Sequence, residues 1–594
     1  MKLLCLSFFL FSVLSASVVN AFAVDREAFT FTDYDLNVRI EPDQQRLGVR
    51  GKIKLRNDSP TPQKVAVLQI SSSLDWRSIT AGGKQLQFVS QLYTSDIDHT
   101  GALSEAIVSL PDGIAPKGSI ELEIGYEGVI VLDATRLTRI GAPEDVARAS
   151  DWDQIGPKFT AVRGAGYVAW YPIATEAEDL TDTDNSFGPL GRWKQREAAS
   201  HVHLHFNLNI SQDAAERASE TIVNPVSCHV AADKALAEKA SLQTSNTDCN
   251  YLPLGFLLPT FVVASYDLLQ RPGMEIRYLL GHDASASSYA DACAKILPLV
   301  AEWFGAARDN AQTAELSQPD AASFVSGSLL LTPLSSMDLK VAGLLATYQL
   351  THAAFSSPRQ WINEGVAHFA QALYLEQQSG RQAAVKYMET HSAALTAFEK
   401  QTVAKNTVAR NEDEAARSLV NTNDEELYRS KAMYVWWMLR DMLGEPALKK
   451  AFASYQPDRD KEPSYMQRLV QAQTQRDLEW FFDDWVYRDR GLPDFKVASA
   501  FTRKTLPEGF MVTITVENQG GTGAEVPVTV KFSGGEISKR IVVRGKSSGV
   551  IRVEVPKAPE EIVINDGSVP ESDITNNSFK IENSDANTKG SGER

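Results

Sequence analysis

"TYQLTHAAFSSPRQWINEGVAHF", Thr347 to Phe369, is the stretch on which the reading of this chain turns. Apolar residues recur at helical spacing on both sides of Ser356-Ser357-Pro358, so the segment predicts two helices joined by a tight turn. Ser357 is placed to cap the second helix, with Pro358 at its first position, where a missing amide hydrogen costs nothing. On the first helix Tyr348 and His352 stand one turn apart and project to one side. Glu364 and His368 repeat that i, i+4 relation on the second helix. Gln349 lies beside Tyr348, so five polar side chains cluster on an otherwise apolar hairpin.

The rest of the chain supplies the setting. Its 594 residues exceed what one core serves, so three or four domains are expected. With 43% hydrophobic and 23% charged residues it falls in the ordinary globular class. A net charge of −16 argues against nucleic acid or an anionic membrane as main partner. Residues 1–23, "MKLLCLSFFLFSVLSASVVNAFA", carry one Lys, an apolar run and Ala21-Phe22-Ala23, the pattern of a cleaved secretory signal. No second run of spanning length follows, so a protein exported to the periplasm or the extracellular space, without a membrane span, is expected. Cysteine use agrees with export: Cys5 leaves with the signal, and Cys228 and Cys249, flanked by strand-like segments, predict a hairpin-stapling disulfide. Cys293, in an apolar helical run, reads as a buried free thiol.

From 24 to 272 short alternating segments such as "YDLNVRIEP" and "SIELEIGYEG" predict strands separated by Gly, Pro, Asn and Asp. In "HVHLHFNLNI" the alternation puts Val202, Leu204 and Phe206 on one face and His201, His203 and His205 on the other. Three histidines on one strand face could hold a metal, but the polar, solvent-facing side of an antiparallel sheet accounts for them more simply. Helical periodicity takes over after 280, and strands return from 497 in "FMVTITVEN", "VPVTVKFSG" and "GVIRVEVP". That last region predicts an immunoglobulin-like β-sandwich over 497–583, followed by a tail at 584–594 with no hydrophobes to order it.

Several motifs, in order, carry a family resemblance. "WINEGVAHF", "SKAMYVWWMLRDMLG" and "DLEWFFDDWVYRDRGLPDFKV" resemble the third-ligand run, the Lys-Gly-Ala helix and the Phe-Phe-x-x-Trp segment of the membrane alanyl aminopeptidase family, the gluzincin zinc metallopeptidases. The resemblance spans nearly the whole mature chain. It implies a multidomain α+β protein: an N-terminal antiparallel β saddle domain at 24–272, a thermolysin-like domain at 273–395 and a helical domain at 396–496, with the sandwich after them. It also implies zinc, held by His-Glu-x-x-His and a Glu on the next helix, with the motif Glu as the base that deprotonates a zinc-bound water.

The departures fall on the chemistry. Tyr348 stands at the first ligand position, and a phenol ionising near pH 10 is a poor zinc ligand. Gln349 stands at the base position, a degenerate one, because an amide cannot take a proton from water. His352 and Glu364 keep the two remaining ligand positions. The family's amine-anchoring carboxylate has no counterpart in "SGSLLL", Ser326 to Leu331, and Arg429 stands where its transition-state Tyr would be, with Tyr428 one position earlier. The expectation is therefore a pseudopeptidase, binding a peptide or protein ligand in the old cleft, with zinc weak or absent. The alternative is an active peptidase with a rearranged site of His352, Glu364 and His368.

Overall fold

The computed structural model describes residues 24–181, 188–211, 220–223, 227–231, 242–405, 417–425, 427–505 and 508–581, and the side chains at 210–245, 339 and 401–405 are left aside. The expected signal at 1–23 and the tail at 584–594 lie outside the described residues. Among the described residues no helix is long and apolar enough to cross a membrane.

The N-terminal region is built on an eight-stranded sheet. Its centre is formed by β1 (Phe29–Glu41), β2 (Arg46–Asn57), β3 (His201–Ser211), β4 (Ser227–Ala231) and β5 (Leu242–Tyr251), in the order β4-β5-β3-β1-β2, and three further strands follow β2. The sheet is not wholly antiparallel as expected, because β1 and β3 run parallel and pair Asp35 with His203 and Leu36 with Leu204. Alternation places Tyr34, Leu36, Val38, Leu204 and Phe206 in a core of their own and leaves the Asp and His side chains on the outer face. In the same sheet Cys228 lies directly opposite Cys249. The side chain of Cys228, and with it the expected disulfide, lies outside the described residues, whereas Cys293 is a buried free thiol.

A second sheet of five strands begins with the hairpin of β6 (Asp267–Arg271) and β7 (Met274–Tyr278). The expected boundary at 272 thus falls within a hydrogen-bonded hairpin. β8 (Ala311–Glu315), β9 (Phe324–Ser326) and β10 (Leu329–Thr332) complete the sheet, with "SGSLLL" forming the β9–β10 turn. Against it pack α1 (Asp283–Phe304) and α2 (Leu339–Ala354), and α3 (Gln360–Ser379) packs on α2. The expected boundary at 395 falls inside α4 (Arg381–Lys405). A π-helical turn at Leu427–Lys431 leads directly into α5 (Ala432–Leu443).

Seven strands at the end form a three-stranded and a four-stranded sheet. They are continuous with the helices: one apolar core runs from Met274 through Trp361, Trp436 and Trp485 to Val526 and Ile562. Trp485 Nε1 donates to the Gly523 carbonyl at 2.8 Å, and Arg381 pairs with both Asp441 and Asp566.

Candidate functional site

The hairpin of α2 and α3 forms around the quoted stretch. Asp338 caps α2, its Oδ1 accepting from the Lys340 amide at 2.8 Å. Between the helices Ser357 does not act as the cap of α3. Its hydroxyl accepts from the Arg359 amide at 3.1 Å and bonds Tyr455 Oη at 2.7 Å, and α3 begins at Gln360, two residues after Pro358. The local Ser–amide turn wins because Arg359 is drawn out of the helix to Asp460, with Nε 2.7 Å from Oδ1. On α3, Gly365 lets α5 approach so closely that a Cβ there would sit 2.5 Å from Ala432 Cβ. Beside it Trp361 and Trp436 stack with centroids 5.1 Å apart. This contact carries the π-helical turn, and with it Arg429, to the polar side of the hairpin.

Four of the sequence-predicted residues do come together. His352 Nε2 stands 3.7 Å from Glu364 Oε1, and Tyr348 Oη donates to Glu364 Oε2 at 2.5 Å. The Tyr348 ring lies edge-on to His352 at 4.6 Å and to His368 at 5.5 Å. Arg429, which the sequence sets at the family's transition-state Tyr position, and His391, which it does not place here, complete the cluster. Arg429 Nε lies 3.4 Å from Glu364 Oε2 while its Nη1 donates to Glu425 at 2.7 Å. His391, from α4, packs on His368 at 5.5 Å and bonds Ser430 Oγ at 2.8 Å. Tyr428 is buried at the edge of the cluster, where Glu425 acts on it more strongly than Glu364. A helix of the N-terminal region, Gly188–Glu197, closes one side, with Gln195 Nε2 donating to the Thr422 carbonyl at 3.1 Å.

Gln349 is elsewhere. It turns from the cluster into the sheet, where its Nε2 donates to the carbonyls of Gln312 at 2.7 Å and Ser328 at 2.9 Å. Its Oε1 accepts from Tyr289 at 2.9 Å and Thr313 at 3.3 Å. An amide, donor and acceptor at once, satisfies this site in full, and a carboxylate would not. The residue at the base position is thus a clasp between α2 and the β8–β10 edge.

Glu364 and Glu425 share the Arg429 guanidinium, and half-buried Lys194 lies within the field of both. Burial pushes the Glu364 carboxyl up, but His352, Arg429 and the Tyr348 hydroxyl outweigh it and hold it at about 2. Burial lowers His352 and takes His368 down to about 3, with the Arg429 charge adding to the effect on His368. Both imidazoles are therefore neutral at pH 7, and the charge that balances the Glu364 carboxylate there is the Arg429 guanidinium. Tyr348 is raised well above its ordinary value by burial and by Glu364, so it is a phenol and not a phenolate.

This set does not fit zinc. Ligands about 2.0–2.2 Å from one ion lie within some 3–4 Å of each other, and His352, Glu364 and His368 do not bring three donor atoms within even 4.8 Å of one another. One Glu364 oxygen is taken by a phenol and faces a guanidinium.

No family model and no curated protein matches the sequence. Among solved structures the chain is similar to an M1 zinc metallopeptidase from Deinococcus radiodurans, at 15% identity, covering 79% of this chain and 95% of that one, with a TM-score of 0.44. A two-domain M1 zinc metallopeptidase mutant bound to L-tryptophan matches at 15% identity, 79% and 96% coverage and a TM-score of 0.48.

Proposed function

We propose that this chain is an exported, aminopeptidase-like protein of the gluzincin type that has lost peptidase chemistry and holds a peptide or protein ligand at the former cleft. The observation that carries the reading is the pairing of Glu364 with Arg429 and Tyr348. A carboxylate whose partners are a guanidinium and a phenol has no need of a metal to balance it, and with Gln349 clasped to the sheet no side chain at that helix position can take a proton from water. What remains is a polar cluster of neutral imidazoles, two carboxylates sharing one guanidinium and hydrogen-bond donors, which suits recognition of a peptide backbone better than its hydrolysis.

The test is cleavage of amino-blocked and unblocked peptides by the mature chain, with and without a chelator, beside a peptide-array binding measurement. Background turnover with saturable peptide binding that Arg429→Ala alters is expected. Turnover that a chelator abolishes and that Glu364→Gln also abolishes would show an active metallopeptidase and overturn the reading.

A further inference from the structure

The outer face of the N-terminal sheet carries a second constellation, remote from the hairpin in sequence. β3 presents His203 and His205 on the solvent side, and their rings lie tilted to each other with centroids 4.0 Å apart. The parallel neighbour β1 brings Asp35 opposite His203, and the antiparallel neighbour β5 brings Asp248 opposite His205. Asp35 Oδ1 lies 3.2 Å from His205 Nε2 and 3.8 Å from His203 Nδ1. One donor atom from each of Asp35, His203 and His205 falls within 4.8 Å of the others.

The geometry makes this more than a polar surface. Asp248 Oδ1 is 2.7 Å from His205 Nδ1, which leaves Nε2 facing the carboxylate of Asp35. Their separation of 3.2 Å is about the edge of a tetrahedron whose ligands stand 2.0 Å from a metal. An imidazole that gives one nitrogen to a carboxylate and the other to a metal is the arrangement by which proteins orient histidine ligands. The neighbouring charges leave the place open: Lys52, opposite Asp35 on β2, is held by Glu121 at 2.9 Å, and His201 lies beside Asp33 at 3.6 Å. The face is half-exposed, so the ion needs no channel to enter.

We propose that Asp35, His203 and His205 bind a divalent transition-metal ion of the zinc class on the outer sheet face, with Asp248 as a positioning residue. The nitrogen and carboxylate donors suit zinc or copper and not calcium or magnesium, which take oxygen ligands. The site ties β3 to β1, which are joined in sequence only through the long stretch from Glu41 to His201. It is independent of the hairpin cluster.

The experiment is calorimetric titration of the chelator-stripped mature chain with zinc chloride, and separately with calcium chloride. One equivalent of zinc is expected. It should be absent in a His203→Asn, His205→Asn double variant and retained in His352→Gln, which separates this face from the hairpin. Asp248→Asn should weaken zinc 10–100-fold while leaving the metal-free melting temperature unmoved. Asp35→Asn, which alters one exposed side chain, serves as a second test should the double variant fold poorly, and it too should lose zinc. No zinc uptake, uptake that the β1 and β3 variants leave unchanged, or uptake of calcium in place of zinc would overturn the proposal.

Discussion

Glu364 and Gln349 show how one helix hairpin can keep its shape while its chemistry departs. Glu364 remains where a carboxylate is useful, but Tyr348 and Arg429 have become its partners. Gln349 has become a four-way hydrogen-bond hub inside the sheet. Restoring the residues of a zinc motif should therefore not restore the site. Gln349→Glu removes the donor that serves two buried carbonyls and sets a carboxylate against them, a cost of about 1–3 kcal/mol for the lost bonds and more for the buried charge. Tyr348→His leaves Arg429 in place, so it should raise zinc affinity little. The double variant is expected to melt well below wild type and to cleave peptides at background. Wild-type stability with zinc-dependent cleavage in that variant would mean the side chain at 349 is free to turn into the cluster. Glu197 behaves in the opposite way to Glu364. Burial pushes it up to about 8, although the Phe31 amide donates to it at 3.0 Å and pulls the other way. In the unfolded chain it loses its proton near 4.5, so between these values the unfolded state binds fewer protons and stability falls as pH rises. Glu197→Gln should remove that slope, gaining on wild type by at most about 1.4 kcal/mol per pH unit from pH 5 to 8. Melting curves across that range check it, and a pH-independent difference would count against a protonated Glu197.

At the level of elements, β3, β5 and the α2–α3 hairpin carry the consequences. The alternation of "HVHLHFNLNI" placed its apolar face in the core and its histidines outside. It could not show that Asp35 would stand beside them, because the partner strand lies far upstream and pairs in parallel. The antiparallel register of β4 and β5 sets Cys228 against Cys249, and we expect a disulfide there, as the export of the chain would allow. Non-reducing peptide mapping should recover the two as one linked species, and recovery of both as free thiols would refute it. Its loss should cost about 2–4 kcal/mol. The hairpin itself was legible from apolar spacing, but its turn was not. Ser357 and Pro358 predict an immediate helix start, and the salt bridge of Arg359 to Asp460, a hundred residues on, delays it.

For the whole molecule, the composition suggests separate domains and the packing joins most of them. Residues from the five-stranded sheet, the helices and the closing sheets share one core. Deletion of the chain from Phe495 onward would bare Phe481, Trp485 and their neighbours. We expect the truncated protein to lose the cooperative thermal transition of its helical part instead of retaining it at a lower temperature. A truncated chain whose helical part melts as in the full chain would show that the closing sheets are an appended module. The N-terminal sheet has a core of its own, so its transition should persist in either case.

What the sequence determined by itself is what depends on residue identity and local period. The strand-rich ends, the helical middle and the hairpin follow from periodicity, and Tyr348 and Gln349 at the ligand and base positions follow from the letters. What only the tertiary structure decided is which side chains meet. Arg429 reaches Glu364 because Gly365 admits α5 against α3 and a π-helical turn redirects the chain. Gln349 faces the sheet because the carbonyls of Gln312 and Ser328 lie within reach of its amide. Asp35 joins His203 and His205 through a parallel pairing across most of the N-terminal region. Local periodicity reports which face of an element is apolar. It carries no record of the partner that a polar face will find, because that choice is made by contacts between segments far apart in the chain.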